Sequence, residues 1–134
     1  MKIILSIVGE NLEPEQVSRA LGGQPRVAGR KGEAILAENL AGKRVTRRAM
    51  AGFWQRGLSV PAETDASAAL HGLFSDLSEN EEVWGNLGRQ FRTELAVCGA
   101  PRGVPARQVF SVQALELLQR RGVHFWSDNE PRAQ

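Results

Sequence analysis

Strand-like and helix-like segments alternate along this chain, and the alternation leaves few folds open to it. The first segment, Ile3 to Val8, is rich in β-branched residues and contains neither glycine nor proline, as a buried strand requires. The next segment has Pro14 in its first turn and stops at Gly22, which indicates a helix. Further strands and helices follow, up to a last strand at Val123–Ser127. This order predicts an α+β domain with amphipathic helices packed on one face of a mostly antiparallel sheet.

Three helical segments carry an apolar stripe that should face the sheet. Thr64 or Asp65 can cap the second helix, and Ser111 can cap the third, because their side-chain oxygens accept hydrogen bonds from the first free backbone N–H groups. Apolar residues recur at helical spacing in each segment. We therefore expect these residues in the core: Leu12, Val17, Leu21, Leu70, Phe74, Leu115 and Leu118.

Two stretches are harder to interpret than the rest. Residues 38–50 have little apolar content and several small residues, which predicts a poorly packed, mobile connection that protrudes from the sheet. Val109 and Phe110 indicate a short strand before the third helix. By contrast, Thr93 to Cys98 alternates regularly and predicts a strand with Leu95 on one face and Glu94 on the other.

A faint internal repeat suggests how the elements are arranged. Leu12-x-Pro14-x-x-Val17-x-x-Ala20 resembles Phe110-x-Val112-x-x-Leu115-x-x-Leu118, and each lies at the entry of a helix. Two similar halves would give a ferredoxin-like pseudo-twofold duplication. We expect a single domain over residues 1–128 and a frayed C-terminal tail over residues 129–134.

The reactive residues of the chain form no recognisable catalytic or metal-binding pattern. The 134 residues include one cysteine, Cys98, and two distant histidines, His71 and His124. One cysteine excludes a disulfide framework and a multi-cysteine zinc site, and the motifs of serine hydrolases and phosphate-binding loops are missing from the sequence. We therefore expect no catalytic residue, no metal and no cofactor. Cys98 should be dispensable, and His124 should lie on the solvent face of the sheet.

Charge is distributed unevenly, although the net charge is only +2. Residues 26–56 carry a net charge of +6, and residues 57–100 carry a net charge of −5. The densest basic run is followed by Phe53 and Trp54, a combination that can hold phosphates and stack bases. Binding of nucleic acid or another polyanion is therefore the alternative function, through a patch of Lys43, Arg44, Arg47 and Arg48.

The three tryptophans contribute a large apolar surface for a chain of this size. Trp54, Trp84 and Trp126 could line a ligand pocket if two of them share a concave face. Ordinary core packing is the expectation for at least one of them. Trp54 lies in an apolar strand pattern, which favours the core for that residue.

The opening strand leads into Gly9-x-x-Leu12-x-Pro14-x-x-Val17, with Leu21-Gly22 and Pro25 behind it. These motifs resemble those of the bacterial domain of unknown function 4279 family, and Asp128 stands where that family has an Asp near its C-terminal end. Two positions depart from the family pattern: Glu10 or Asn11 replaces an Asp, and Glu130 replaces an aromatic residue. The resemblance implies a fold but no established activity. Its further matches are Arg30-Lys31-Gly32, Gly52-x-Trp54 and Gly122-Val123.

The sequence favours a small non-catalytic module that binds a protein or a small ligand. Its short apolar N-terminal segment is no secretory signal and its single thiol suits a reducing compartment, so a cytoplasmic location is expected. No segment is long enough to span a membrane, and a homodimer is left open. The candidate binding surface consists of Arg30, Lys31, Trp54 and Asp128.

Overall fold

The computed structural model describes residues 1–38, 41–61, 64–100, 104 and 106–127. Asp128 and the predicted tail at 129–134 lie outside these residues. The elements are β1 Lys2–Gly9, α1 Pro14–Leu21, β2 Val27–Gly29, β3 Ala34–Glu38, β4 Arg44–Arg48, β5 Gly52–Ser59, α2 Ala66–Phe74, α3 Glu81–Gln90, β6 Arg92–Cys98, α4 Ala106–Val109, α5 Val112–Arg120 and β7 His124–Ser127.

The main sheet has five strands in the order β2-β5-β1-β6-β7. Strand β1 pairs antiparallel with both β5 and β6, β2 pairs antiparallel with β5, and β7 pairs parallel with β6. With α1 between β1 and β2, and α2 and α3 between β5 and β6, four of these strands form a ferredoxin-like βαββαβ unit. The predicted α+β class is confirmed.

The internal repeat, however, predicted the wrong elements for the second half of this unit. It matched the entry of α1 with the entry of α5, whereas the two halves of the unit are β1-α1-β2 and β5-α2-α3-β6. Helix α5 and strand β7 are an addition at the far edge of the sheet. Both α1 and α5 pack against the sheet, and that shared role accounts for their similar apolar spacing.

Side-chain caps fix where α2 and α5 begin. The carboxylate of Asp65 accepts hydrogen bonds from the backbone N–H groups of Ser67 and Ala68, at 3.0 and 3.2 Å. The hydroxyl of Ser111 accepts one from the N–H of Ala114 at 3.2 Å. Both predicted caps are confirmed, but Val109 ends the short helix α4 and does not belong to a strand.

The core lies between the helices and one face of the sheet. Ile3, Leu5 and Ile7 of β1 are fully buried there, whereas the alternate residues of β1 are partly or fully exposed, as the two-residue period of a strand requires. Leu115 is only partly buried against this core. The other predicted core residues are buried: Leu12, Val17, Leu21, Leu70, Phe74 and Leu118.

Strands β3 and β4 form a separate two-stranded antiparallel ribbon. Residues 44–48 therefore belong to a strand, and the prediction of a loop over 38–50 was wrong for them. The ribbon continues the path of the chain between β2 and β5, and neither of its strands packs substantially on another described element. Within the described ranges, no helix is long and apolar enough to cross a membrane.

Candidate functional site

The structure does not bring the predicted binding surface together. Arg30 and Lys31 are exposed in the turn after β2, but Trp54 is fully buried. Its indole Nε1 donates to the hydroxyl of Ser18 at 3.0 Å, so Trp54 is a core residue with a satisfied polar atom. Asp128 lies outside the described residues. Trp54 therefore does not belong to an exposed binding surface with Arg30 and Lys31.

Arg30 lines a polar cleft of about 480 Å³ beside α1. The guanidinium of Arg30 is already paired with neighbouring carboxylates. Glu13 and Glu15 both accept hydrogen bonds from it. The hydrogen bond that Arg30 donates to Glu13 is the main cause of the raised pKa of Arg30. Lys31 is likewise bonded to Glu10, which lowers the pKa of that carboxyl. The two cations are neutralised locally, which makes this cleft a poor anion site.

The face of the sheet opposite the helices is open, and its register arranges the side chains in rows. One polar row crosses the sheet, because Ser6 is paired with both Gln55 and Glu94, and Glu94 is paired with His124. A neighbouring apolar row joins Ile4, Ala96 and Trp126. Except for His124, the residues of these two rows line a cavity of about 380 Å³ on the open face.

Glu94 is the most enclosed charged group of this face. Its side chain is 14% exposed, and it forms an ion pair with Arg92. The indole Nε1 of Trp126 donates to its other carboxylate oxygen at 2.9 Å. These bonds hold the Trp126 ring, the carboxylate and the guanidinium in one fixed arrangement at the border of the open face.

A second cavity, which we call the edge cleft, lies where β7 begins. Strand β7 pairs with residues 94–97 of β6, so Arg92 and Thr93 extend beyond its start. The edge cleft has a volume of about 420 Å³, within the usual size of a small-molecule site. It is lined by Gly88, Phe91, Arg92, Thr93, Glu94, Gly122, His124, Phe125 and Trp126.

The walls of the edge cleft are aromatic and well supported. The ring of Phe125 packs edge-on against Phe110, with centroids 5.3 Å apart. The ring of Phe91 lies against Gly9, where an added Cβ would stand 2.3 Å from ring carbon Cδ1. Only glycine leaves room for this contact, so the end of β1 fixes the position of Phe91.

Thr93 gives the edge cleft an unsatisfied polar group. The residue is 3% exposed, and its hydroxyl is buried without a hydrogen-bond partner. An unpaired buried hydroxyl is costly, and a ligand in the cleft could satisfy it by donating or accepting a hydrogen bond. The edge cleft thus combines aromatic walls with one buried polar group that has no partner.

Sequence reasoning found only part of this site. It identified Trp126 as a possible pocket residue and placed His124 on the solvent face, where the structure also has it. The alternation over 93–98 placed Glu94 on the face away from the core. The missing hydrogen bond of Thr93 depends on what surrounds it in space, and no sequence signal indicates it.

The predicted polyanion patch lies elsewhere. Arg44, Arg47 and Arg48 are on β4, Lys43 directly precedes that strand, and all four side chains are exposed. Arg48 donates to the carbonyl of Gly32 at 2.8 Å. In the described part of the chain, no group of three or more His, Cys, Asp or Glu side chains could hold a metal ion.

Comparison with protein families identifies a match over nearly the whole chain. A family model described as a domain of unknown function, DUF4279, matches residues 1–131. No curated protein matches the chain, and no solved structure matches it. The family match confirms the resemblance drawn from the turn and cap motifs, and it spans all the described elements.

Proposed function

We propose that this chain, which belongs to the DUF4279 family, is a non-catalytic module that binds a small planar ligand in the edge cleft. The observation that carries the proposal is the buried hydroxyl of Thr93, which has no partner in a cavity walled by Phe91 and Phe125. Ligand sites combine mostly apolar walls with a few placed polar groups. The ligand would stack between aromatic rings and bond Thr93 through a carbonyl, amide or hydroxyl.

Binding is favoured over catalysis by the state of the polar groups in the cleft. A nucleophilic hydroxyl needs a base within hydrogen-bond reach, and the Thr93 hydroxyl has no hydrogen-bond partner. Glu94 is bonded to Arg92 and to Trp126, so this carboxylate is held as a structural acceptor. As part of the same proposal, the module acts in the cytosol, where the free thiol of Cys98 stays reduced.

Benzamide, which has a flat ring and one amide, is a suitable probe for ligand-observed NMR. We expect saturation transfer from the protein to its ring protons. Thr93→Val keeps the side-chain shape but removes the hydroxyl, and should weaken benzamide binding about two- to tenfold, the equivalent of one hydrogen bond. The same change should stabilise the free protein, because a buried unpaired hydroxyl is lost. Thr46→Val, at an exposed position of the ribbon, is the matched control.

A blocking variant tests the location independently. Gly88 lies in α3, and a Cβ added there would meet no atom within 4 Å. Gly88→Leu should therefore fill the edge cleft without disturbing the fold and abolish the benzamide signal. Saturation transfer that persists in this variant, or wild-type protein that gives none with benzamide, would show that the edge cleft is not the site.

A further inference from the structure

One face of the β3–β4 ribbon carries five exposed side chains. The register pairs Ala34 with Arg48 and Leu36 with Thr46, so these four side chains and that of Arg44 point to the same side. All five are exposed, and Leu36 keeps 65% of its surface in solvent. The opposite side is different, because Ile35 and Val45 are partly buried. One face of the ribbon, the presented face, thus carries five exposed side chains, and the other also carries partly buried ones.

Strand β4 is strongly cationic. Arg44 and Arg48 lie on the presented face with Thr46 between them, Arg47 is exposed on the opposite face, where it is paired with Ile35, and Lys43 directly precedes the strand. Residues 41–50 include no acidic residue. Arg48 is fixed at the base of the ribbon by its bond to the carbonyl of Gly32.

From this geometry we infer that the ribbon binds double-stranded DNA by entering its major groove. The paired strands lie about 5 Å apart, and the major groove, about 12 Å wide, admits a two-stranded ribbon. Arg44 and Arg48 are four residues apart on one face, a span of about 13 Å, which lets both guanidinium groups reach the groove walls or base edges. An A-form RNA groove is too deep and narrow for such an element.

The experiment is fluorescence anisotropy with a labelled DNA duplex of about 20 base pairs, using the full chain. If four cations neutralise phosphates, the affinity should fall by roughly 100-fold between about 50 and 200 mM salt. Replacing all four by serine (K43S, R44S, R47S, R48S) should reduce the affinity at low salt more than about tenfold and flatten this salt dependence. The matched control replaces the exposed Arg19, Arg26, Arg89 and Arg120, and should bind within about threefold of the wild type.

A second variant, two competing polyanions and a measurement of self-association complete the test. Thr46→Glu keeps every cation but places a negative charge between Arg44 and Arg48, and should also weaken DNA binding. Circular dichroism should confirm that the fourfold serine variant and Thr46→Glu are both folded. Equal affinity for an RNA duplex or for poly-glutamate would overturn groove binding. So would a wild-type chain that ignores DNA but self-associates through the same four residues, which would assign the ribbon to a second copy.

Discussion

The guanidinium of Arg56 on β5 forms an ion pair with the carboxylate of Asp76, two residues beyond the end of α2. The same guanidinium donates to the carbonyl of Gln24 at 2.7 and 3.1 Å and to that of Leu73 at 3.3 Å. It also lies over the buried ring of Trp54, 5.8 Å from the centroid. One side chain thus joins the sheet, the turn after α1 and the end of α2.

Replacing Asp76 by asparagine should make stability depend less on pH. The bond from Arg56 lowers the pKa of Asp76 in the folded chain, so its stabilisation is complete above the unfolded pKa of about 3.9 and is lost as the pH falls through the folded value. Urea unfolding should show Asp76→Asn less stable by under about 1 kcal/mol at neutral pH, since the carboxylate is largely exposed. The difference should disappear in acid. Glu116→Gln, at an exposed position of α5, is the control.

Leu70 and Leu118 test the helix–sheet core. Both are buried, at 0% and 2% exposure, and lie on different helices. Leu70→Ala and Leu118→Ala should each lower the free energy of unfolding by about 2–5 kcal/mol, through lost apolar burial and a residual cavity. Leu36→Ala on the ribbon is the control, and should change it by less than about 0.5 kcal/mol. Costs near that of the control at both core positions would contradict the helix assignments.

Two glycines should respond to alanine in opposite directions. A Cβ at Gly52 would lie 2.5 Å from the carbonyl oxygen of Leu12, a backbone atom that cannot move aside, so Gly52→Ala should cost about 1–3 kcal/mol. Gly72 lies within α2 with nothing near its Cβ position. Gly72→Ala should therefore stabilise the chain by up to about 1 kcal/mol through helix propensity. Thermal unfolding of the two variants measures both effects.

Cys98 should be dispensable. It ends β6 on the open face of the sheet, opposite Lys2, and is partly buried. Because it lines the open-face cavity and not the edge cleft, Cys98→Ser should leave the benzamide signal and the DNA affinity unchanged. Loss of either activity in a variant that keeps its circular dichroism spectrum would show that the thiol has a functional role.

Sequence predicted the parts of this fold that local chemistry specifies. The caps at Asp65 and Ser111 and the stop at Gly22 satisfy free backbone groups within a few residues, so the sequence contains the whole cause. The faces of β6 follow from its alternation. The class of the fold follows in turn, since it depends on the order of these elements.

The failures depend on partners distant in sequence. Residues 44–48 lack an apolar alternation and become a strand only by pairing with β3. The short apolar pair Val109-Phe110 fits a strand or a helix equally well. Trp54 was grouped with Arg30, but its position in the register turns it to the helix side of the sheet, where it is buried.

The ribbon leaves the sheet after Gly29 and the chain returns at Gly52, next to the Gly29–Phe53 pair. Its two ends are therefore neighbours, about one strand spacing apart. Joining them by a short turn would preserve the five-stranded sheet. The ribbon is therefore an insertion that design could shorten or replace while the five-stranded sheet keeps its architecture.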